Sequence, residues 1–258
     1  MERREALAAY NDAYKEQDDL YRAVARQCGL SDCAFWVLYA LRESGRPMTQ
    51  SDVCAAVYQP KQTVHSALKK LLEELAKTLE AEGIETEIVQ AGHTAHSCNA
   101  CASCKKTFRC VYDDLVNETA PKLAEADALV IGAPVYFASP TGGAIAFMDR
   151  LFYSTPHINK TMKVGAAVVS CRRGGNTASF DVLNKYFTIT GMPIASSQYW
   201  NMVYGNTPEE VRKDGEGLQT MRTLGRNMAF LMKSIQLGRE QFGIPEKEPP
   251  IVTSFHHE

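Results

Sequence analysis

Two periodicities divide the chain. Up to about residue 75 the apolar positions recur at helical spacing. In "SDCAFWVLYALRES" Ala34, Val37, Leu38 and Leu41 fall on one stripe, Ser31 and Asp32 are cap candidates, and Gly45 and Pro47 end the segment. "MTQSDVCAAVYQ" predicts a short helix with Thr49 as its cap. Pro60 then opens a longer helix with leucines at 68, 71, 72, 75 and 79 and a stop at Gly83. A short helix, a tight turn and a longer helix have the layout of a helix-turn-helix. Its second helix would present Lys61, Gln62, Thr63, His65 and Ser66 to a DNA major groove.

From about residue 84 the pattern becomes strand, loop, helix, repeated. "IETEIVQ" alternates like a strand, "DLVNETAPKLAEA" predicts a helix, and "ALVIGAPVYF" a buried parallel-type strand. Then follow "TGGAIAFMDRLFY" as helix, "MKVGAAVVS" as strand, "TASFDVLNKYFTIT" as helix, "MPIASSQYW" as strand and a long helix over about 216–241. Strands alternating with helices imply an α/β fold, a doubly wound parallel sheet with helices on both faces. Ligands of such sheets bind beyond the carboxyl ends of the strands, which directs attention to the loops there.

With 258 residues and 45% hydrophobic composition, the chain has room for one large or two ordinary domains. The charged start "MERREALAAYNDAYKEQDD" has no apolar stretch of a secretion signal, and no run approaches the roughly 18 apolar residues of a membrane span. The expectation is a soluble, cytoplasmic protein with reduced cysteines and no membrane partner. A net charge of -2 exerts no global pull on nucleic acid, so DNA binding would need a local patch.

Three stretches carry candidate chemistry. "PVYFASPTGG" places Pro134, Val135, Tyr136, Phe137, Ser139, Pro140 and Thr141 after a strand, a setting suited to a flat heteroaromatic ligand or simply to a packed connector. "SCRRGGNT" follows the next strand with Ser170, Arg172, Arg173, Gly174 and Gly175, where glycines allow close backbone approach and the arginines suit an anion. A solvated basic turn is its bland alternative. "CNACASCKKTFRC" sets Cys98, Cys101, Cys104 and Cys110 at C-x2-C-x2-C-x5-C. Two-residue gaps let successive thiolates turn toward one centre, as in iron–sulfur and zinc sites, although thiols without metal remain an alternative. His93 and His96 could join a zinc site, Cys28, Cys33 and Cys54 read as core thiols, and Arg172 and Arg173 would lower the pKa of Cys171.

Two resemblances attach to these residues. Residues 20–71, "LYRAVARQCGL" through "HSALKKL", resemble the first part of a MarR-family winged-helix regulator, without the wing and dimerisation helices that follow in that family. Residues from about 72 to 242 resemble the flavodoxin-like NAD(P)H-dependent FMN reductases, in particular the iron–sulfur flavoproteins. This likeness rests on the cysteine stretch, "ADALVIGAPVYFASPTGGAIAFMDRLFY", "AAVVSCRRGGNTASFDVLNKYF" and "SQYWNMVYGNTPEEVR".

The second resemblance implies a flavodoxin-like fold, FMN beyond the strand ends, NAD(P)H as reductant, an unknown electron acceptor, and homo-oligomers that complete the flavin site. Pro134 to Thr141 would then line the isoalloxazine and Ser170 to Gly175 reach its polar edge. The four cysteines would hold a [4Fe–4S] cluster beside the flavin. The family's opening strand and phosphate loop are missing, and the helix-turn-helix segment runs directly into the helix that should follow them.

The domain expectation is a helical segment over 1–75, a reductase domain over 76–245 and a tail over 246–258. The functional expectation is a flavin-dependent NAD(P)H oxidoreductase whose electrons leave to an acceptor directly or through the cysteine site. Its alternative is a DNA-binding regulator with a redox-sensing C-terminal half.

Overall fold

The computed structural model describes residues 20, 21, 23, 24, 27, 28, 32–45, 62–91, 96–205, 208–249 and 251, and the chain forms two compact units, residues 1–62 and 63–258. In the first, the apolar stripe forms helix α1 (Asp32–Ser44), with Ala40 buried and the Tyr39 ring edge-on to Tyr21 at 5.6 Å. Cys28 is exposed, which corrects its reading as a core thiol. Cys54, Thr49, Lys61 and His93 lie outside the described residues.

The second unit begins with α2 (Gln62–Ala81), whose Leu68, Leu71, Leu75 and Leu79 repeat at three- and four-residue steps and are all buried. After it come α3 (Cys104–Thr107), α4 (Leu115–Glu125), β1 (Ala128–Tyr136), β2 (Ser139–Pro140), α5 (Gly142–Ser154), β3 (Val164–Cys171), α6 (Asn176–Ile189), β4 (Met202–Tyr204), α7 (Pro208–Val211) and α8 (Gly215–Phe242). The sheet order is β2-β1-β3-β4. The β1–β3 and β3–β4 pairs are parallel, and β2 is an antiparallel return on β1.

All eight residues of β3 are buried, as a central strand covered on both faces requires. On one face Val164, Ala166 and Val168 pack against the α2 leucines and Met221, Leu224 and Met228 of α8. On the other, Ala167 and Val169 meet Leu123 of α4, Leu151 of α5 and Leu183 and Phe187 of α6. Full burial of each such side chain stabilises by roughly 1.5–3 kcal/mol. The result is a flavodoxin-like α/β layer arrangement. Among the described residues no helix is long and apolar enough to cross a membrane.

Two strand expectations are corrected. Residues 84–90, "IETEIVQ", form no strand; the segment leaves α2 through Ile84 on the core and is held by the Glu87–Lys122 ion pair and the Thr86 hydroxyl on Glu80. A strand needs a ladder partner, and among the described residues the free side of β1 pairs only at its tip, where β2 folds back. The stretch "MPIASSQYW" contributes a single bridge from Ile194 to Gly165, and the paired strand comes later, at Met202–Tyr204.

Candidate active site

At the carboxyl end of β1 the chain reverses through a two-residue turn. Val135 pairs with Pro140 and Tyr136 with Ser139, leaving Phe137 and Ala138 at φ 51° and 57°. Positive φ at both central residues is the mark of a type I′ hairpin, which ordinarily takes Asn-Gly. Phe and Ala hold it at a cost of about 1–2 kcal/mol each. Phe137 is fully exposed at 105% and Tyr136 is half-exposed, so the turn presents two aromatic side chains to solvent.

The end of β3 lies beside this turn. Gly175 has φ 89°, and a Cβ there would stand 2.5 Å from the Ala138 Cα, so the two loops predicted as a ligand site touch through a position that only glycine fills. Ser170 is buried, and its Oγ has no hydrogen-bond partner. Arg172, Arg173 and Gly174 are exposed.

The Cys171 thiol is buried, and burial pushes its pKa up, with Asp214 adding to the effect. The expected lowering by Arg172 and Arg173 is outweighed: the Arg173 backbone amide does pull the thiol down, but both arginines are exposed and burial sets the net direction. β4, parallel to β3, adds Tyr204, whose hydroxyl accepts from the buried Asn176 amide at 2.9 Å. Its backbone amide donates to Asp214, which also caps α8. Asn176, Tyr204 and Asp214 were not among the residues singled out in the sequence.

The cysteine loop is organised differently. Cys98, Cys101, Cys104 and Cys110 line one cavity together with Tyr112, Arg150, Tyr153 and Ser154. Cys104 starts α3 and is buried, Cys110 is half-buried, and Cys98 and Cys101 are exposed. Left-handed residues at Ala100 and Ala102 flank Cys101, and a third at Phe108 ends α3, turning the chain between successive thiols. The Ser103 backbone and hydroxyl hold the Cys101 thiol below its ordinary pKa. Burial pushes Cys104 up, with the other three thiols adding to the shift. Among the described residues no three His, Cys, Asp or Glu side chains stand close enough to hold a single metal ion. His96 stacks on Tyr112 at 4.5 Å and is not part of the cavity wall.

Cys110 is clamped on three sides. Its N–H donates to the Asn117 side chain at 2.9 Å, and Asn117 donates back to the Cys110 carbonyl at 3.0 Å. Its sulfur receives Arg150 Nε at 3.3 Å and Nη2 at 3.2 Å. The other edge of the Arg150 guanidinium forks onto Asp114 at 2.7 and 2.8 Å. Asp114 in turn caps α4 through the Val116 amide. Arg150, beside it, holds the Asp114 carboxyl below the usual carboxylate range.

Sequence reading missed Arg150, Asp114 and Asn117, although signals for two were present. Asp114 precedes an apolar helix as a cap should, and Arg150 falls on the stripe of Phe147, Leu151 and Ser154, where a cation has to be paired. α5 joins the two regions: its first turn follows Thr141 of the strand-end loop, and Arg150 lies eight residues further, about 12 Å along the helix axis.

Residues 61–207, more than half of the chain, match the NADPH-dependent FMN reductase family. The chain belongs to that family. It is 30% identical over 174 residues to an iron–sulfur flavoprotein of Methanocaldococcus jannaschii, an alignment covering 64% of this chain and 90% of that one. It is 26% identical over 178 residues to the iron–sulfur flavoprotein of Methanosarcina thermophila, covering 67% and 92%. Among solved structures it is similar to RosB with bound 8-demethyl-8-formylriboflavin-5'-phosphate, with a TM-score of 0.50, 17% identity, and 77% and 88% of the two chains covered. The helix-turn-helix candidates Gln62, Thr63, His65 and Ser66 fall inside the family match, in the opening turns of α2, whose later leucines fill the reductase core.

Proposed function

We propose that this FMN reductase-family chain is an NAD(P)H oxidoreductase whose strand-end loops receive FMN and whose four cysteines hold a [4Fe–4S] cluster that passes electrons onward. The observation that carries the reading is that four thiols, contributed by a loop with little regular structure, line one cavity braced by a buried cation, on the helix that leaves the strand-end loops. Soft thiolates at this spacing suit a cluster, and two relatives are named iron–sulfur flavoproteins.

Bound FMN supplies hydride acceptance from a nicotinamide and release of electrons one at a time. The chain's own task is to bind and orient it. Tyr136, Phe137 and Tyr204 offer aromatic faces to a flat ring, while the unpartnered Ser170 hydroxyl offers a hydrogen bond at the buried end of the site. Pro134, Val135, Ser139, Pro140 and Thr141 form the hairpin wall, and Gly174 and Gly175 keep the opposing backbone close. Phosphate binding falls to Arg172 and Arg173, since no glycine- or serine-rich loop precedes α2 in the sequence. A second copy covering the exposed aromatic rim would complete the site.

Titrating FMN under anaerobic conditions tests the flavin half. Binding weaker than about 1 μM is expected, falling at least tenfold further when Arg172 and Arg173 are both changed to Ala, on the scale of one lost charge-assisted bond. Sub-micromolar binding indifferent to both arginines would overturn the assignment of the phosphate end. Reconstitution with iron and sulfide tests the other half: about four irons per chain are expected, and Cys101→Ser should abolish loading. Iron retained by a chain lacking all four cysteines would refute the placement.

A further inference from the structure

We infer that Arg150 is the residue that tunes the cluster through Cys110, raising its reduction potential by donating two hydrogen bonds to that sulfur. The inference rests on the cluster reading above and goes beyond it, because neither the cysteine spacing nor the family match assigns a role to Arg150.

The geometry is specific. Arg150 is 1% exposed, the largest of the fully buried side chains among the described residues, and it shares its buried helix face with Phe147, Met148, Leu151 and Ser154. One edge of its planar guanidinium, Nε and Nη2, faces the Cys110 sulfur at 3.3 and 3.2 Å. A second edge, Nη1 and Nη2, faces the Asp114 carboxylate at 2.7 and 2.8 Å. Nη2 also reaches the Tyr112 carbonyl at 3.2 Å, and the guanidinium carbon lies 5.0 Å from the centre of the Tyr112 ring.

Asp114 alone would satisfy the charge. A fork that also engages a sulfur is more than a buried cation requires, and it singles out Cys110: Cys104 donates to the Tyr153 carbonyl at 3.7 Å, and Cys98 and Cys101 are exposed. The four ligands are therefore unequal, with one half-buried sulfur facing a cation, one buried sulfur without one, and two open to water.

Adding an electron to a cluster adds negative charge that spreads onto the ligating sulfurs. Hydrogen bonds to those sulfurs stabilise the reduced form and raise the potential, one of the ways a protein sets cluster potentials. Lysine in place of Arg150 keeps the charge but not the planar fork, so it cannot hold sulfur and carboxylate in the same geometry. Methionine of similar length removes both charge and donors.

The test compares wild type, Arg150→Lys and Arg150→Met after anaerobic reconstitution, with iron counted per chain and the cluster midpoint potential read by spectroscopic redox titration. The expected result is similar iron content with potentials ordered wild type above lysine above methionine, together with altered iron–sulfur stretching bands in the resonance Raman spectrum. If Arg150→Met does not fold, Arg150→Lys against wild type decides alone. Loaded variants with an unmoved potential overturn the inference while leaving the cluster reading intact. Loss of iron from every folded variant would show that Arg150 only builds the site, and would overturn it as well. A wild-type protein that takes up no iron refutes the cluster reading, and this inference with it.

Discussion

The cysteine loop and the strand-end rim both place non-glycine residues in left-handed backbone, at Ala100, Ala102 and Phe108 in one and at Phe137 and Ala138 in the other. They are held in place by different means. The rim rests on sheet ladders, with β1, β3 and β4 fixing its ends and a single close glycine contact joining its loops. The cysteine loop has one short helix and no ladder, and its shape depends on side chains reaching across 36 to 40 residues, from Arg150 to Asp114 and Cys110. A site on strand ends leaves its side chains free for a ligand. A site on a loop has to commit buried polar side chains to hold itself together, and it is vulnerable to the loss of any one of them.

That contrast is most easily broken at Asp114. Changing it to Ala removes the partner of a buried guanidinium and the cap of α4 together, and should destabilise the metal-free protein by about 3–5 kcal/mol in chemical denaturation. Its stabilisation also has a defined acid limb. Because Arg150 lowers the folded-state pKa of Asp114, the contribution is complete above the unfolded value of about 3.9 and is lost as pH falls through the lower folded value. The variant should lose that limb of the pH–stability curve. A loss under 1 kcal/mol would mean that the loop is held by its backbone instead.

On the rim, Gly175→Ala should cost about 2 kcal/mol, since the new Cβ meets the Ala138 Cα and φ is 89°. Its neighbour Gly174 has nothing within 4 Å of a built Cβ, so Gly174→Ala should stay within about 0.5 kcal/mol. Equal effects at the two positions would show that the rim loops do not depend on their contact. Ala138→Gly should go the other way, stabilising by roughly 0.5–1 kcal/mol as it relieves a left-handed alanine. Phe137→Ala should likewise change folding stability by no more than about 0.5 kcal/mol, because the ring is fully exposed. FMN affinity should nevertheless drop several-fold, by about 1 kcal/mol. Unchanged affinity would remove Phe137 from the flavin site.

The elements with a clean period were legible without coordinates. The helices at Leu115–Glu125, Gly142–Ser154, Asn176–Ile189 and Gly215–Phe242 and the strands at Ala128–Tyr136 and Val164–Cys171 lie where the apolar pattern puts them. Residues 84–90 carry an equally clear alternation and form no strand, because alternation records only which side chains seek burial, whereas a strand also needs a neighbour with free amides and carbonyls. Cys171 misled in a similar way: two arginines adjacent in sequence say nothing about which way a thiol at a strand end faces, and the sheet buried it.

Taken alone, the sequence determined what depends on neighbours along the chain: the period of each element, the Asp114 cap position, and the spacing that lets four thiols turn toward one place. Tertiary structure decided what depends on residues distant in sequence. It brought Arg150 against Cys110, left the side of β1 without a full partner among the described residues, and set Gly175 against Ala138. The physical reason is that backbone geometry fixes a residue's direction within its own helix or strand. Its electrostatic partner and its exposure to water are fixed only when the elements pack.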